Sequence, residues 1–207
     1  MDEPILHWYA LKVFFNKVFE MEDLLSCMGI ESYIAVDKQR LKGEAHLLAR
    51  KHIASLQALG KTDKRYIQDG AIIYQRVPLV NSLMFFRAEE SALPDVSAAL
   101  KNDDESYKGF IYKRADWKGY AVVPDSQMEA FRLVTSQGAD GLEFFSDEDI
   151  TRFREGHKVR VTEGPFKGAE GYIKRIRRDR RLLVSIEGIV AVATSFIEPR
   201  FLETVAD

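Results

Sequence analysis

Residues 155–184, EGHKVRVTEGPFKGAEGYIKRIRRDRRLLV, decide how the chain is read. KVRVT (158–162) and GYIKRI (171–176) are β-branched runs interrupted by charge. The pattern places Val159, Val161, Ile173 and Ile176 inward, with basic residues between them. Gly164-Pro165 and Gly168 punctuate the turn between the runs. Gly171 opens the second run, where a side chain would clash or a positive φ is needed. RLLVSI (181–186) and VAVATS (190–195) add two further strands of similar length. About fifty residues of short strands with no helical period predict a small all-β barrel that protects its strand edges by closing.

Working back from this unit, the charge distribution marks its boundary. From Phe153 onward there are 11 basic and 8 acidic residues, so the first 152 residues hold −5 of the net −2. Just upstream, Asp140, Glu143, Asp147, Glu148 and Asp149 stand among Ser136, Gly138, Ala139 and Gly141. Apolar surface there comes mainly from Leu142, Phe144 and Phe145, so residues 135–153 are expected to form a flexible acidic linker.

The preceding residues, 5–134, alternate strand and helix signals. LHWYALKVF (6–14) is apolar and β-branched and predicts a buried strand. Asn16 is positioned to cap a helix carrying Val18, Phe19, Leu24, Leu25 and Met28, with Gly29 as its stop. YIAV (33–36) predicts a short strand. Residues 44–59 predict an amphipathic helix with Leu48, Ala49, His52, Ile53, Leu56 and Leu59 near one face. AIIYQRV (71–77) and SLMFFRA (82–88) predict strands, and SALPDVSAAL (91–100) a short helix. FIYKR (110–114) and YAVV (120–123) form a hairpin through Asp116–Gly119, and PDSQMEAFRLV (124–134) a last helix. This mixture implies an α+β unit with helices against a mostly antiparallel sheet.

Composition narrows the classes of function. The chain has 207 residues, 46% of them hydrophobic and 30% charged, with a net charge of −2. Bulk charge does not make it a nucleic-acid binder. No apolar run reaches the roughly 18–20 residues of a membrane helix, and the first residues lack a signal-peptide pattern. A soluble, cytoplasmic protein is expected. One cysteine, Cys27, gives no intramolecular disulfide and reads as a small core residue on a helix. His7, His46, His52 and His157 are scattered without metal-ligand spacing, and EGPFKG lacks the spacing of a phosphate loop. No enzyme, metal or cofactor is expected.

The stretch 155–184 resembles the KOW motif, a strand, a G-P-F-K-G turn, a glycine and a second strand in an SH3-like barrel. A preceding unit that begins with WYALKV makes the whole chain similar to the NusG family of bacterial transcription elongation factors. The longer N-terminal unit and GYAVVPDSQMEAF resemble its specialised paralogues, the RfaH-like and UpxY-like antiterminators, whose targets include polysaccharide operons. The family carries a segment like F-P-G-Y-V-F-V ahead of a central strand. Here VPLVNSLMFF (77–86) places Val80, Asn81 and Leu83 where Phe, Pro and Tyr stand in the family. Residues 42–69 are also longer than in the family and contain a helix.

The resemblance implies a monomer in which an exposed apolar concavity binds the β′ clamp of RNA polymerase. Trp8, Tyr9, Val80, Leu83 and Phe85 fall in that neighbourhood; strand alternation lets only every second one face a common surface, and the other reading is sheet core. For the barrel it implies a turn built on Gly164, Phe166, Gly168 and Gly171, with Phe166 folding over the barrel or touching a partner such as a ribosomal protein. Lys174, Arg175, Arg177, Arg178, Arg180 and Arg181 offer a basic hairpin to nascent RNA or an acidic partner. Their other reading is a solvated turn. Alternatives are a KOW-type RNA- or ribosome-binding protein and a diverged paralogue acting as an interaction or inhibitory factor.

Overall fold

In the computed structural model, residues 4–101, 107–146, 157–176 and 179–205 are described. The first strand, β1 (His7–Val13), is the predicted buried strand and becomes the centre of an antiparallel sheet. Around it lie β2 (Glu31–Tyr33), β6 (Leu83–Ala88), β7 (Gly109–Ile111) and β8 (Val122–Val123), in the order β2-β6-β1-β7 with β8 also paired to β1. The even side chains of β1 face one way and the odd ones the other. Tyr9, Leu11 and Val13 join Met84, Phe86 and Ile111 in a core closed by Val18, Met21 and Leu25 of α1 (Val18–Cys27). Leu93 and Val96 of α3 (Leu93–Ala99) complete it. The opposite face, with Trp8, Ala10 and Phe85, is covered by α4 (Asp125–Thr135).

Asn16 does not cap α1: the cap position is Lys17, and Asn16 lies in the left-handed region at φ 57°. Cys27, expected in the core, is exposed at the end of that helix. Instead of one strand over 33–36, the chain leaves β2 at Tyr33, buries Ile34 and Ala35, and enters β3 at Val36.

Between β2 and β6 the chain builds a separate three-stranded sheet. β3 (Val36–Arg40), β4 (Tyr66–Asp69) and β5 (Ile72–Pro78) pair in the order β3-β5-β4, with α2 (Gly43–Ala58) packed on β5. Residues 66–69 carried no strand prediction. In α2 only Ala49 is buried; Leu48 and Leu59, expected inward, are 60% and 69% exposed. Leu48 lies on the flank of the helix and Leu59 just past its end, and a sheet this narrow covers only the stripe Ala49, Ile53 and Leu56. The unit is tied to α1 by the two-pronged ion pair of Arg76 with Glu22 (2.8 and 3.0 Å) and by Lys64 with Asp23 (3.2 Å). Its loop is held by Asp63, which accepts from the backbone and guanidinium of Arg65 and contacts His52 Nε2 at 2.9 Å.

The C-terminal residues form one six-stranded antiparallel sheet in the order β14-β10-β11-β12-β13-β9. Its members are β9 (Glu143–Ser146), β10 (Lys158–Val161), β11 (Glu170–Ile176), β12 (Asp179–Ile186), β13 (Val190–Phe196) and β14 (Leu202–Thr204). All four predicted strands are present. The pairing does not close on itself among the described residues: β14 and β9 are its two edges. The strand β9 corrects the expectation of a flexible linker over 135–153. Its residues pair with β13 in the register Phe144↔Val192 and Phe145↔Ala191, because the two phenylalanines find apolar neighbours there. Residues 147–153 of that predicted linker lie outside the described residues.

Gly171 shows which of its two predicted reasons holds. Its φ is not positive; instead, a Cβ at this position would run into the Leu183 carbonyl oxygen of β12. Gly171→Ala must therefore push β11 from β12, an overpacking that costs about 1–3 kcal/mol. A lower denaturation midpoint with the C-terminal strands as the first to lose amide protection is the expected result.

Hydrogen bonds from Arg65 outweigh burial and hold the Asp63 carboxyl far below the usual carboxylate range. The unfolded group protonates near pH ~3.9, so the stabilisation is complete above that value and is lost as the pH falls towards the folded group's lower value. Asp63→Asn should be less stable than the wild type at neutral pH, and the gap should narrow progressively below about pH 4. Urea midpoints across that range measure it.

Candidate functional site

Register assembles four of the five predicted docking residues on one side of the N-terminal sheet. Ala10 stands opposite Phe85 and Lys12 opposite Leu83, with Trp8 two residues back on the same face of β1. Val80 packs against this face from the loop before β6. Tyr9 does not belong with them: it points into the other core, its ring centroid 5.6 Å from that of Phe86, and burial raises its phenol pKa, reinforced by Glu90. That is the alternation rule at work, and it removes Tyr9 from the site.

The expected open concavity is covered by the chain itself. Trp8, Leu83 and Phe85 are 4%, 6% and 1% exposed. Phe131 of α4 meets Phe85 edge-on at 5.4 Å between centroids, and Met128 and Val134 are buried alongside. The Arg132 guanidinium lies over both Trp8 (5.5 Å) and Tyr33 (5.3 Å). Thr135 donates to the Phe131 carbonyl at 2.7 Å, so the Tyr33 hydroxyl donates to Thr135 Oγ1 at 2.7 Å. These contacts lock α4 across the face.

The C-terminal sheet packs on the other side of α4, against β12. Val159, Phe166, Leu182, Val184 and Ile189 share one buried cluster with Trp8, Phe85 and Phe131. The Gln127 side-chain oxygen accepts from the Glu187 backbone at 3.2 Å. Past the end of α4, Lys12, Val80, Leu83 and Tyr112 face Phe144, Phe145 and Ile189 across a cleft of about 610 Å³. Lys12 donates to Ser82 Oγ at 2.9 Å on its wall. Beyond it the rings continue in the open: Phe110 lies 6.0 Å from Phe14 and 5.5 Å from Tyr112, and Phe15 is 84% exposed.

The predicted turn of the C-terminal unit faces inward. Gly164 and Gly168 hold it in the left-handed region (φ 86° and 91°), and the Gly168 amide returns to the Val161 carbonyl at 2.8 Å. Phe166 is buried in the shared cluster, so of its two predicted placements it takes the one folded over the strands. Gly168 and Gly171 border α4: a Cβ on Gly168 would stand 3.8 Å from Leu133, and Gly171 lines a crevice with Gln127 and Ala130.

The basic hairpin is divided by its register. Lys174 pairs with Arg181 and Arg175 with Arg180, placing the two pairs on opposite faces of the ribbon. Lys174 is buried, and Arg181 is neutralised by Glu143 of β9 at 3.2 Å. Arg175 and Arg180 remain exposed, while Arg177 and Arg178 lie outside the described residues. The four described cations therefore do not make one patch. Sequence reasoning missed the part played by α4: its amphipathic stripe was legible, but a stripe does not say that both sides of a helix will be covered. It also missed β9, whose acidic neighbours masked Phe144 and Phe145.

No protein-family model matches the chain, and no curated protein matches it. Among solved structures it is similar to NusG of Thermotoga maritima, described for its domain interaction, at 14% identity and a TM-score of 0.44, over 98% of each chain.

Proposed function

We propose that the chain is a non-enzymatic transcription elongation factor that docks on RNA polymerase through the sheet face carrying Trp8, Val80, Leu83 and Phe85. The reading is supported by the order of the WYALKV strand and the KOW-like segment, and by the gathering of those four residues on one face. Residues 5–134 would act as the polymerase-binding domain and 154–207 as a second, KOW-type module for a ribosomal protein or nascent RNA. The partner is the β′ clamp, and the protein works as a cytoplasmic monomer.

The mechanism is differential binding. A factor that holds the closed clamp more tightly than the open one shifts the population away from paused and terminating states. That is processive antitermination, with a polysaccharide operon as the target the paralogue resemblance suggests. Because α4 and the C-terminal sheet occupy the docking face, polymerase must compete with them. The apparent affinity then falls by the fraction of molecules in which the face is free.

Leu133→Glu tests both steps. Leu133 packs between α4 and the Gly168 turn, so a carboxylate there loosens the cover without touching the docking residues. In a pulldown with core polymerase, Leu133→Glu should be retained more strongly than the wild type. Val80→Glu added to it should reduce retention by about tenfold, the cost of a central contact at an interface. Absence of binding by every form, with no effect on pausing in an elongation assay, would sink the reading.

A further inference from the structure

The unit inserted between β2 and β6 has a charge opposite to that of the rest of the chain. Residues 36–78 hold nine Lys/Arg against four Asp/Glu, a surplus of five, which leaves −7 on all other residues. Three of the nine cations are engaged: Arg76 with Glu22, Lys64 with Asp23, and Arg65 with Asp63. The other six, Lys38, Arg40, Lys42, Arg50, Lys51 and Lys61, are exposed and make no ion pair among the described residues. Of the acids, Asp63 is already paired.

Sheet register then shows where the cations lie. Ile73 is buried on the side of α2, with Ala49, and Tyr66 on that side meets the ring of His52. Alternation puts Tyr74 on the opposite face, together with Ile72 and Arg76 of β5. Across the three strands Arg40 pairs with Tyr74 and Tyr74 with Ile67, so a cation, an aromatic ring and an aliphatic side chain stand side by side. Lys38 shares that face two residues along β3, a spacing of about 6.6–6.8 Å. Lys42 follows Arg40 where the strand runs into α2. Helix α2 occupies the other face, α1 meets this one at Arg76, at its end, and Ile67, Ile72 and Tyr74 are half-exposed.

We infer that this open face binds single-stranded nucleic acid, with Tyr74 stacking on a base and Lys38, Arg40 and Lys42, along the neighbouring strand, meeting the phosphates. The surplus of positive charge draws a polyanion. The half-exposed ring beside the row of cations selects a strand whose bases are free to stack over a duplex, whose bases are not. An acidic protein would also meet the cations, but it has no unpaired bases to stack in succession on the ring. The surface is distinct from the polymerase-docking face, so the inference stands or falls without that reading.

The test is fluorescence anisotropy of the full chain with a labelled single-stranded DNA or RNA oligonucleotide, with no polymerase present. The wild type should bind both more tightly than a duplex of the same sequence. The two single-stranded arms show whether the sugar matters. Lys38→Glu/Arg40→Glu should bind more weakly, with the log–log salt slope reduced by about 1.4 for two phosphates lost. Tyr74→Leu, which keeps an apolar side chain, should weaken binding about tenfold with the slope unchanged. Urea midpoints near that of the wild type verify that both variants fold. Lys113→Glu/Lys118→Glu, two exposed cations of the hairpin between β7 and β8, should leave affinity within about twofold. The inference is overturned if the wild type prefers duplex or does not bind at low salt. It is equally overturned if the hairpin variant, rather than the β3 variant, abolishes binding.

Discussion

The arrangement of the molecule depends on the burial of α4 on both of its sides. Phe131 fills the space over Phe85 on the N-terminal sheet, while the flank carrying Ala130 and Leu133 meets the C-terminal strands. A fully buried phenylalanine is worth about 1.5–3 kcal/mol, and exposed ion pairs such as Arg132 with Glu31 about 0–1. The apolar cluster, shared by residues from Trp8 to Ile197, therefore decides that the two units sit together. The polar contacts along it, Tyr33 to Thr135 and Gln127 to Glu187, fix orientation more than they supply affinity.

Much of this was written in short-range pattern. The β1 strand, the four strands of the C-terminal unit and the last helix follow from period and turn residues, and a side-chain clash was one of the two reasons read for Gly171. What escaped was long-range. That Trp8 and Phe85 are covered rather than open depends on α4, whose Phe131 is 123 positions from the one and 46 from the other, and hydrophobicity alone does not distinguish a docking surface from a buried seam. Tyr9 could have been removed from the site by the alternation rule. Phe144 and Phe145 were overruled by the acids around them, although two adjacent aromatics are enough to add an edge strand. The six basic residues at 174–181 read as one patch because charge was counted along the chain, whereas register sends neighbours to opposite faces.

The same lesson applies to net charge. A total of −2 describes no part of this protein. The small sheet of β3, β4 and β5 is a cationic island held on an acidic body, fastened by Arg76 and Glu22, and it is invisible to any average taken over the N-terminal half. Since α2 buries so little of itself, this unit draws its order from those anchoring contacts and from Ile73 more than from a core of its own.

The strand β9 has a further consequence for how the two units communicate. With Thr135 closing α4 and Glu143 opening β9, only seven residues connect them. Seven extended residues reach at most about 25 Å. If the C-terminal sheet lifts from α4 while keeping β9 as its edge, it cannot diffuse away; it stays at an effective concentration in the millimolar range beside the face it has left. Uncovering is then a short-lived excursion rather than a dissociation. Peeling β9 from β13 would lengthen the leash and slow the return, making one pair of phenylalanines the timer of the open state.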